Sequence, residues 1–210
     1  MTFLELCQRL RQEVGAAGTG PATVTGQNGE MQRLIGWIQQ AWREIQTEQQ
    51  EWRFAWAEGE VELSAGFRDY DLPDDFDHWV EDTLRIGDRP VRALDYPDFR
   101  RLHREPANEQ AIGSVCVTPD NKLRLSSLPA AEVTLSFEYF RTPQELTDNG
   151  DVPRMPPRYH LLIVYRAMMQ YGLYENAPEV VQQGNSNASR LMGDMMMSEL
   201  PPMTFAGALA

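Results

Sequence analysis

The sequence predicts an α+β protein: a helical-bundle frame of about four helices at residues 1–57 and 143–200, a small antiparallel β lobe inserted at 58–142, and an extended C-terminal tail at 201–210. Three observations predict it. Apolar residues recur every three or four positions near both ends of the chain, the period of a helix with one buried face. Between them the period drops to two, and turn-forming residues interrupt it at short intervals, as in hairpins. With 210 residues, 42% of them hydrophobic and 24% charged, the chain is long enough for a buried core plus an inserted lobe.

The first helix is expected from Thr2 to Val14, where Phe3, Leu4, Leu6, Cys7, Leu10 and Val14 share one face. Thr2 is its N-cap, and Glu5 three residues later completes a capping box. "GAAGTGPATVTGQNG" at 15–29 has five glycines and a proline, the composition of a mobile loop. A connector this long is expected to order only on contact with a neighbour. The second helix is expected from Glu30 to Glu51. Met31, Leu34, Ile35, Ile38, Ala41, Trp42 and Ile45 form its apolar stripe, with Trp52 following after a polar turn. Arg33, Gln39, Gln40, Arg43, Glu44 and Gln46 form the opposite face, and Trp37 lies off the stripe. Trp52, Phe54 and Trp56 then alternate with Arg53 and Ala55, which reads as the chain entering a sheet and sealing the joint between helix and strand.

In the lobe, "GEVELSAGFRDYDLP" reads as a strand, a turn at Ala65-Gly66 and a second strand, and "WVEDTLRIG" as a further strand with a turn at Gly87-Asp88. "IGSVCVTPDNKLRLSS" is a hairpin turning at "TPDNK", and "EVTLSFEYFRT" points Val133, Leu135, Phe137 and Tyr139 inward. "LDYPDFRRLHRE" is a short helix capped by Asp95 or Asp98. The frame resumes after Pro156-Pro157, which set a first helical turn. "YHLLIVYRAMMQYGLY" is apolar almost all round and predicts the central buried helix. Asn176 and Pro178 break it. The last helix carries Val180, Val181, Gly184, Ala188, Leu191, Met192, Met195 and Leu200 on one stripe, and its "LMGDMMM" run reads as adaptable packing. The tail "PPMTFAGALA" is apolar and uncharged, beyond any element able to bury it, so Pro201, Pro202, Met203, Thr204, Phe205 and Leu209 are expected to dock on a partner.

Charge and chemistry narrow the function. The net charge of −12 repels phosphate backbones and argues against a broad nucleic-acid face. One basic cluster, Arg89, Arg92, Arg100, Arg101 and Arg104 with His103, interleaves with Asp95, Asp98 and Glu105 and reads as a solvated or intersubunit face. No window has the roughly 18–20 apolar residues of a membrane span, and the N-terminal charges are unlike a signal peptide. Cys7 and Cys116 stand apart and read as buried small hydrophobes in a reducing cytoplasm, with neither a disulfide framework nor a thiolate metal site. "RDYDLPDDFDH" fails the calcium-loop template because Pro73 occupies a ligand position and no glycine follows where the turn needs one. His78, His103 and His160 lack zinc spacing. No phosphate-cradling or nucleophile-elbow motif occurs. A Cys7–His160 pair would be the one nucleophilic arrangement left, and nothing local supports it. The sequence therefore implies no enzyme, metal or cofactor.

The order of parts resembles the head-to-tail adaptor (connector, head-completion) proteins of tailed bacteriophages. The resemblance rests on "LIGWIQQAWREIQTEQQEWRF", on "YDLPDDF", and on "YFRTPQELTDNGDVPRMPPRYHLLIVYRAMMQYGLYENAPE" at the return to the frame, and it covers most of residues 30–200. It implies a homo-oligomeric ring, typically twelve-fold, beneath the portal protein of a DNA-filled capsid, made in the host bacterial cytoplasm and carried in the virion. Portal lies on one side of such a ring and a tail, stopper or tail-completion protein on the other. DNA passes through the lumen without specific contact. On that reading the tail residues dock on portal or an adjacent ring, and Trp37, Arg89, Arg92, Arg100, Arg101 and Arg104 contact neighbouring subunits. The alternatives are a tail-tube or tail-completion subunit and, from a different class, a nucleic-acid or carbohydrate binder stacking its ligand on exposed Trp37, Trp52 and Trp56.

Overall fold

The computed structural model describes residues 1–105 and 111–201. Within them the chain is mixed α+β, with five α-helices and two small sheets. It divides into two compact units, one formed by Met1–Ala55 with the chain from Pro143 onward, the other by Trp56–Thr142.

In the first unit, helix α1 (Phe3–Glu13) starts at the expected capping box. The Thr2 hydroxyl accepts from the Glu5 amide, and the Glu5 carboxylate accepts from the Thr2 amide at 2.8 Å. Phe3, Leu6, Cys7 and Leu10 are buried. Helix α2 (Gly29–Thr47) buries Leu34, Ile35, Ile38, Ala41, Trp42 and Ile45 and stops short of the predicted end at Glu51. The reason is Trp52. A helix end leaves its last carbonyls without intrahelical donors, and the chain folds back so that Trp52 Nε1 donates to the Ile45 carbonyl at 3.0 Å. Residues Arg53–Ala55 then form a 3-10 turn, not a strand. The period-two alternation of Trp52, Phe54 and Trp56 is accordingly not a sheet pattern. Trp52 and Phe54 stack with ring centroids 5.4 Å apart, and Phe54 lies 5.9 Å from Trp42. Trp56 instead begins the first strand.

The Gly-rich segment 15–28 also differs from expectation, because its anchors come from the same chain. Arg11 Nε and Nη2 donate to the Ala17 carbonyl at 2.9 and 2.6 Å, and Arg11 also pairs with Glu30. Gln8 donates to the Pro21 carbonyl at 3.1 Å. Buried Val24 donates its amide to Asn149 Oδ1 at 2.7 Å. Gly20, at φ +89°, passes so close to α1 that a Cβ would lie 3.0 Å from Gln8 Cα. The returning chain is laced to α2 in the same way. The Gln144 amide donates to Gln46 Oε1 at 2.7 Å, and Gln46 Nε2 donates back to the Gln144 carbonyl at 3.0 Å.

A 3-10 turn at Pro157–Tyr159 leads into α4 (His160–Tyr174), which packs against α1, α2 and the last helix of the chain, α5 (Pro178–Glu199). Two glycines set the closeness of α4 and α5. A Cβ on Gly172 would sit 2.7 Å from Val181 Cγ2, and one on Gly184 would sit 2.8 Å from the Tyr165 carbonyl. Burial on α4 covers His160, Leu162, Ile163, Val164, Ala167, Met168 and Gly172. Its C-terminal end is not buried all round, since Leu173 is 74% exposed.

The second unit holds one sheet of β1 (Trp56–Leu63), β3 (Phe76–Trp79), β4 (Arg85–Ile86), β5 (Arg89–Pro90) and β9 (Val133–Arg141). The other contains β2 (Asp69–Asp71), β6 (Arg92–Ala93), β7 (Ser114–Val117) and β8 (Lys122–Leu125). Strand β9 is the hub of the first sheet, pairing β1, β3 and β4. Strands β1 and β2 flank the expected turn at Gly66 (φ +79°) yet belong to different sheets, so they are not a hairpin. "WVEDTLRIG" is not one strand either: Asp82, at φ +59°, turns the chain between β3 and β4. The hairpin β7–β8 is as expected, whereas the two-residue pair β6–β7 is parallel, so the lobe is not wholly antiparallel.

Inner faces of the two sheets share a core. Ala57, Leu63, Leu135, Phe137 and Tyr139 from the first meet Val115, Leu123 and Leu125 from the second. Gly59 lies in this inner row because the Phe137 ring fills its place, 2.6 Å from where a Cβ would stand. Helix α3 (Tyr96–Leu102), with Asp95 at its N-cap position, packs on β7, burying Phe99. His103 just beyond it bonds the Ser114 hydroxyl at 2.9 Å.

Candidate assembly surfaces

The root of the tail is held firmly. In the last turn of α5 the Glu199 carboxylate is buried and accepts from Arg158 at 3.2 Å, while the Ser198 hydroxyl bonds the Tyr159 hydroxyl at 2.8 Å. Pro201 follows, exposed. The other tail residues predicted to dock, Pro202, Met203, Thr204, Phe205 and Leu209, lie outside the described residues. Met197, 81% exposed, stands beside the root.

Trp37 is half-buried on its own chain. Its ring meets the edge of Tyr171 at 5.8 Å and Tyr174 at 5.7 Å, and the Arg33 guanidinium lies 4.5 Å over Tyr174. Sequence reasoning missed the neighbouring exposed Leu173 and Tyr174, because a helix apolar on every side reads as buried on every side. Leu173 borders a cleft of about 350 Å³ between the end of α4 and the start of α5, lined also by Met169, Gly172, Ala177 and Val181.

All five cluster arginines are exposed, but the fold separates them. Arg89 sits on the edge strand β5 of the first sheet and Arg92 on the edge strand β6 of the second. Arg100, Arg101 and Arg104 lie on α3 or just past it, with Arg101 pairing Asp98 at 3.1 Å. Arg92 borders a cleft of about 1040 Å³ whose rim also carries Asp77, Glu81, Asp82, Arg85 and Asp95. The sequence reading did not bring together the acids on the outer face of the first sheet. Glu58, Glu60 and Glu62 are exposed there on alternate positions of β1, and Glu138 lies directly opposite Glu58 on β9. Trp56, on the same face, donates its indole N–H to Glu138 at 2.8 Å, and Thr134 donates to Glu62 at 3.0 Å. The signal was present in "EVEL", whose alternation fixes which side the carboxylates occupy.

The cysteine and histidine considered for nucleophilic chemistry are engaged in structure. Cys7 is buried, and burial pushes its thiol up to about 12, so no thiolate nucleophile forms at neutral pH. His160 is buried, and desolvation lowers its pKa. Its Nε2 faces the Met155 carbonyl at 3.1 Å and its Nδ1 the Met1 amino group at 2.7 Å, so both ring nitrogens are taken and the Cys7–His160 pair is not formed. Three acids of "RDYDLPDDFDH" go to separate partners. Asp69 holds Arg124 through two bonds of 2.6 and 2.8 Å, raising the guanidinium pKa, and Asp71 pairs Lys122 at 2.9 Å. Asp75 accepts from the Tyr139 hydroxyl at 2.9 Å. Among the described residues no group of three or more His, Cys, Asp or Glu is placed to hold a metal ion, and no helix is long and apolar enough to cross a membrane.

The features left on the outside are charged and apolar patches that another chain could cover. The family model that matches this protein is that of the SU10 adaptor protein, over residues 1–204. The chain belongs to this family of phage head-to-tail adaptors and is a bacteriophage structural protein, a virion component. No curated protein matches it.

Proposed function

We propose that this protein is a head-to-tail adaptor subunit that closes into a ring, twelve-fold by its family resemblance, beneath the portal. There it joins the DNA-filled capsid to the tail, lines the DNA exit channel and catalyses no reaction. The observation that carries this reading is the family match over 1–204, which takes in both compact units and reaches into the tail. Charge supports it. A body of net −12 lining a channel lets DNA slide, whereas a basic lining would neutralise phosphates and hold them. The partners of the ring are portal on one side and a tail, stopper or tail-completion protein on the other, with Trp37 and the lobe arginines turned to neighbouring subunits. Burial of Trp52, 1% exposed, removes one of the three rings that a base- or sugar-stacking platform would need.

Portal docking falls to the segment that leaves α5 at Pro201, because that helix end is pinned by Arg158 and Tyr159 while the residues after it are apolar and uncharged. Deleting residues 201–210 leaves the thermal unfolding of the protein unchanged and abolishes its attachment to portal-bearing heads, as read by cosedimentation. Attachment of the truncated protein at the full-length level would contradict this assignment.

A further inference from the structure

The second unit is layered as sheet, sheet, helix, and its two outer surfaces differ in charge: one is acidic, the other mixed, with arginines that have no carboxylate partner among the described residues. On one side the first sheet presents Glu58, Glu60, Glu62 and Glu138, with Arg85 opposite Ser136 as the one cation aligned with them in the described strands. Glu58 and Glu138 face each other across adjacent strands, an arrangement that destabilises a sheet unless a cation relieves it. Strand β1 pairs with β9 alone among the described residues, so this face runs out to a sheet edge. On the other side, beyond the inner row of Val115, Leu123 and Leu125, α3 lies on β7 and turns Arg100, Arg101 and Arg104 to solvent. Leu102 stands among them, 63% exposed. The acids on this side are Asp69 and Asp71, paired with Arg124 and Lys122, and Asp95, Asp98 and Glu105 around α3. Asp98 is committed to Arg101, while Arg100 and Arg104 have no carboxylate partner among the described residues.

We infer that successive copies meet through this lobe, the α3 arginines and Leu102 of one copy seating on the glutamate face of the next. The inference rests on the ring reading above and says which surfaces build the ring. The two faces lie on opposite sides of the same lobe and cannot reach each other within one chain. An isologous contact of the glutamate face against itself would set like charges together, which costs several kcal/mol at an interface. A contact of one face with the other is heterologous and leaves a free face at each end, so it propagates from copy to copy until the rotation closes a ring. Leu102 supplies the apolar centre and the charges the polar rim.

Face reversal tests this without requiring the register of the contact. One full-length variant carries Arg100→Glu, Arg101→Glu and Arg104→Glu; the other carries Glu58→Arg, Glu60→Arg and Glu62→Arg. Each is incubated with portal-bearing heads alone and in equal mixture, and bound copies per head are counted after sedimentation, with circular dichroism establishing that each variant is folded. Each variant alone is expected to lose loading, and the mixture to regain the wild-type level, because copies of the two kinds alternate. Wild-type loading by either variant alone, or no recovery in the mixture of folded variants, overturns the inference and leaves the adaptor reading standing. Failure of the wild type to load overturns both. Should three reversals on one strand prevent folding, Glu60→Arg/Glu62→Arg against Arg100→Glu/Arg104→Glu repeats the test with fewer changes.

Discussion

Two tryptophans on the same stripe do different work. Trp42 and Trp52 are equally buried, but Trp52 donates to the Ile45 carbonyl at the end of α2, while Trp42 Nε1 has no hydrogen-bond partner among the described residues. Replacing either by phenylalanine removes a similar volume. Only Trp52→Phe also strands a buried carbonyl, a loss of about 1–3 kcal/mol, whereas Trp42→Phe removes an N–H already unpaired. Urea unfolding of the two variants is expected to place Trp52→Phe lower in stability by about that amount, and equal stabilities would mean the indole does not cap the helix. That both rings are core could be read from their spacing. Their difference could not, because a donor seven residues past its acceptor leaves no periodic trace. Trp37 lies off the stripe, and the Tyr171 and Tyr174 rings that half-cover it come from the far end of the chain, beyond local pattern.

At the scale of elements, the contact of α4 with α5 depends on two glycines that the sequence presents as ordinary helix residues. Alanine has the better helix propensity by about 1 kcal/mol, so a Gly→Ala change in α5 has a sign set by space alone. Gly184→Ala drives a Cβ to 2.8 Å from the Tyr165 carbonyl and is expected to destabilise by about 1–2 kcal/mol once overpacking outweighs propensity. Gly193→Ala, exposed with nothing within 4 Å, is expected to stabilise by about 0.5–1 kcal/mol. Thermal melts of the two variants should shift in opposite directions; shifts of the same sign would mean that the helices tolerate separation. Elements whose boundaries are set by local chemistry were legible, as at the Thr2–Glu5 capping box and the turn between β7 and β8. Elements set by distant partners were not: α2 ends early because of Trp52, and 15–28 is ordered by Arg11, Gln8 and Asn149, whose roles appear only once α1 and the 143–156 segment lie beside it.

For the whole molecule, the family was legible because its signature lies where local chemistry is dense: a helix end rich in tryptophan, a Tyr-x-Leu-Pro turn, and a Pro-Pro entry to an apolar helix. Which strands share a sheet was not, since β1 and β2 are separated by one turn in sequence and by a whole sheet in space. Nor was the placement of Glu58 and Arg100 on different sides of the lobe, which needs the layer order. A subunit with two unlike faces and a pinned, apolar tail root is suited to a closed ring on a template. Negative-stain microscopy of portal-bearing heads, with and without the purified full-length protein, tests this most directly: added protein is predicted to appear as a closed ring of density beneath the portal with an open central channel, and heads that stay bare, or carry isolated copies that never close, would contradict it.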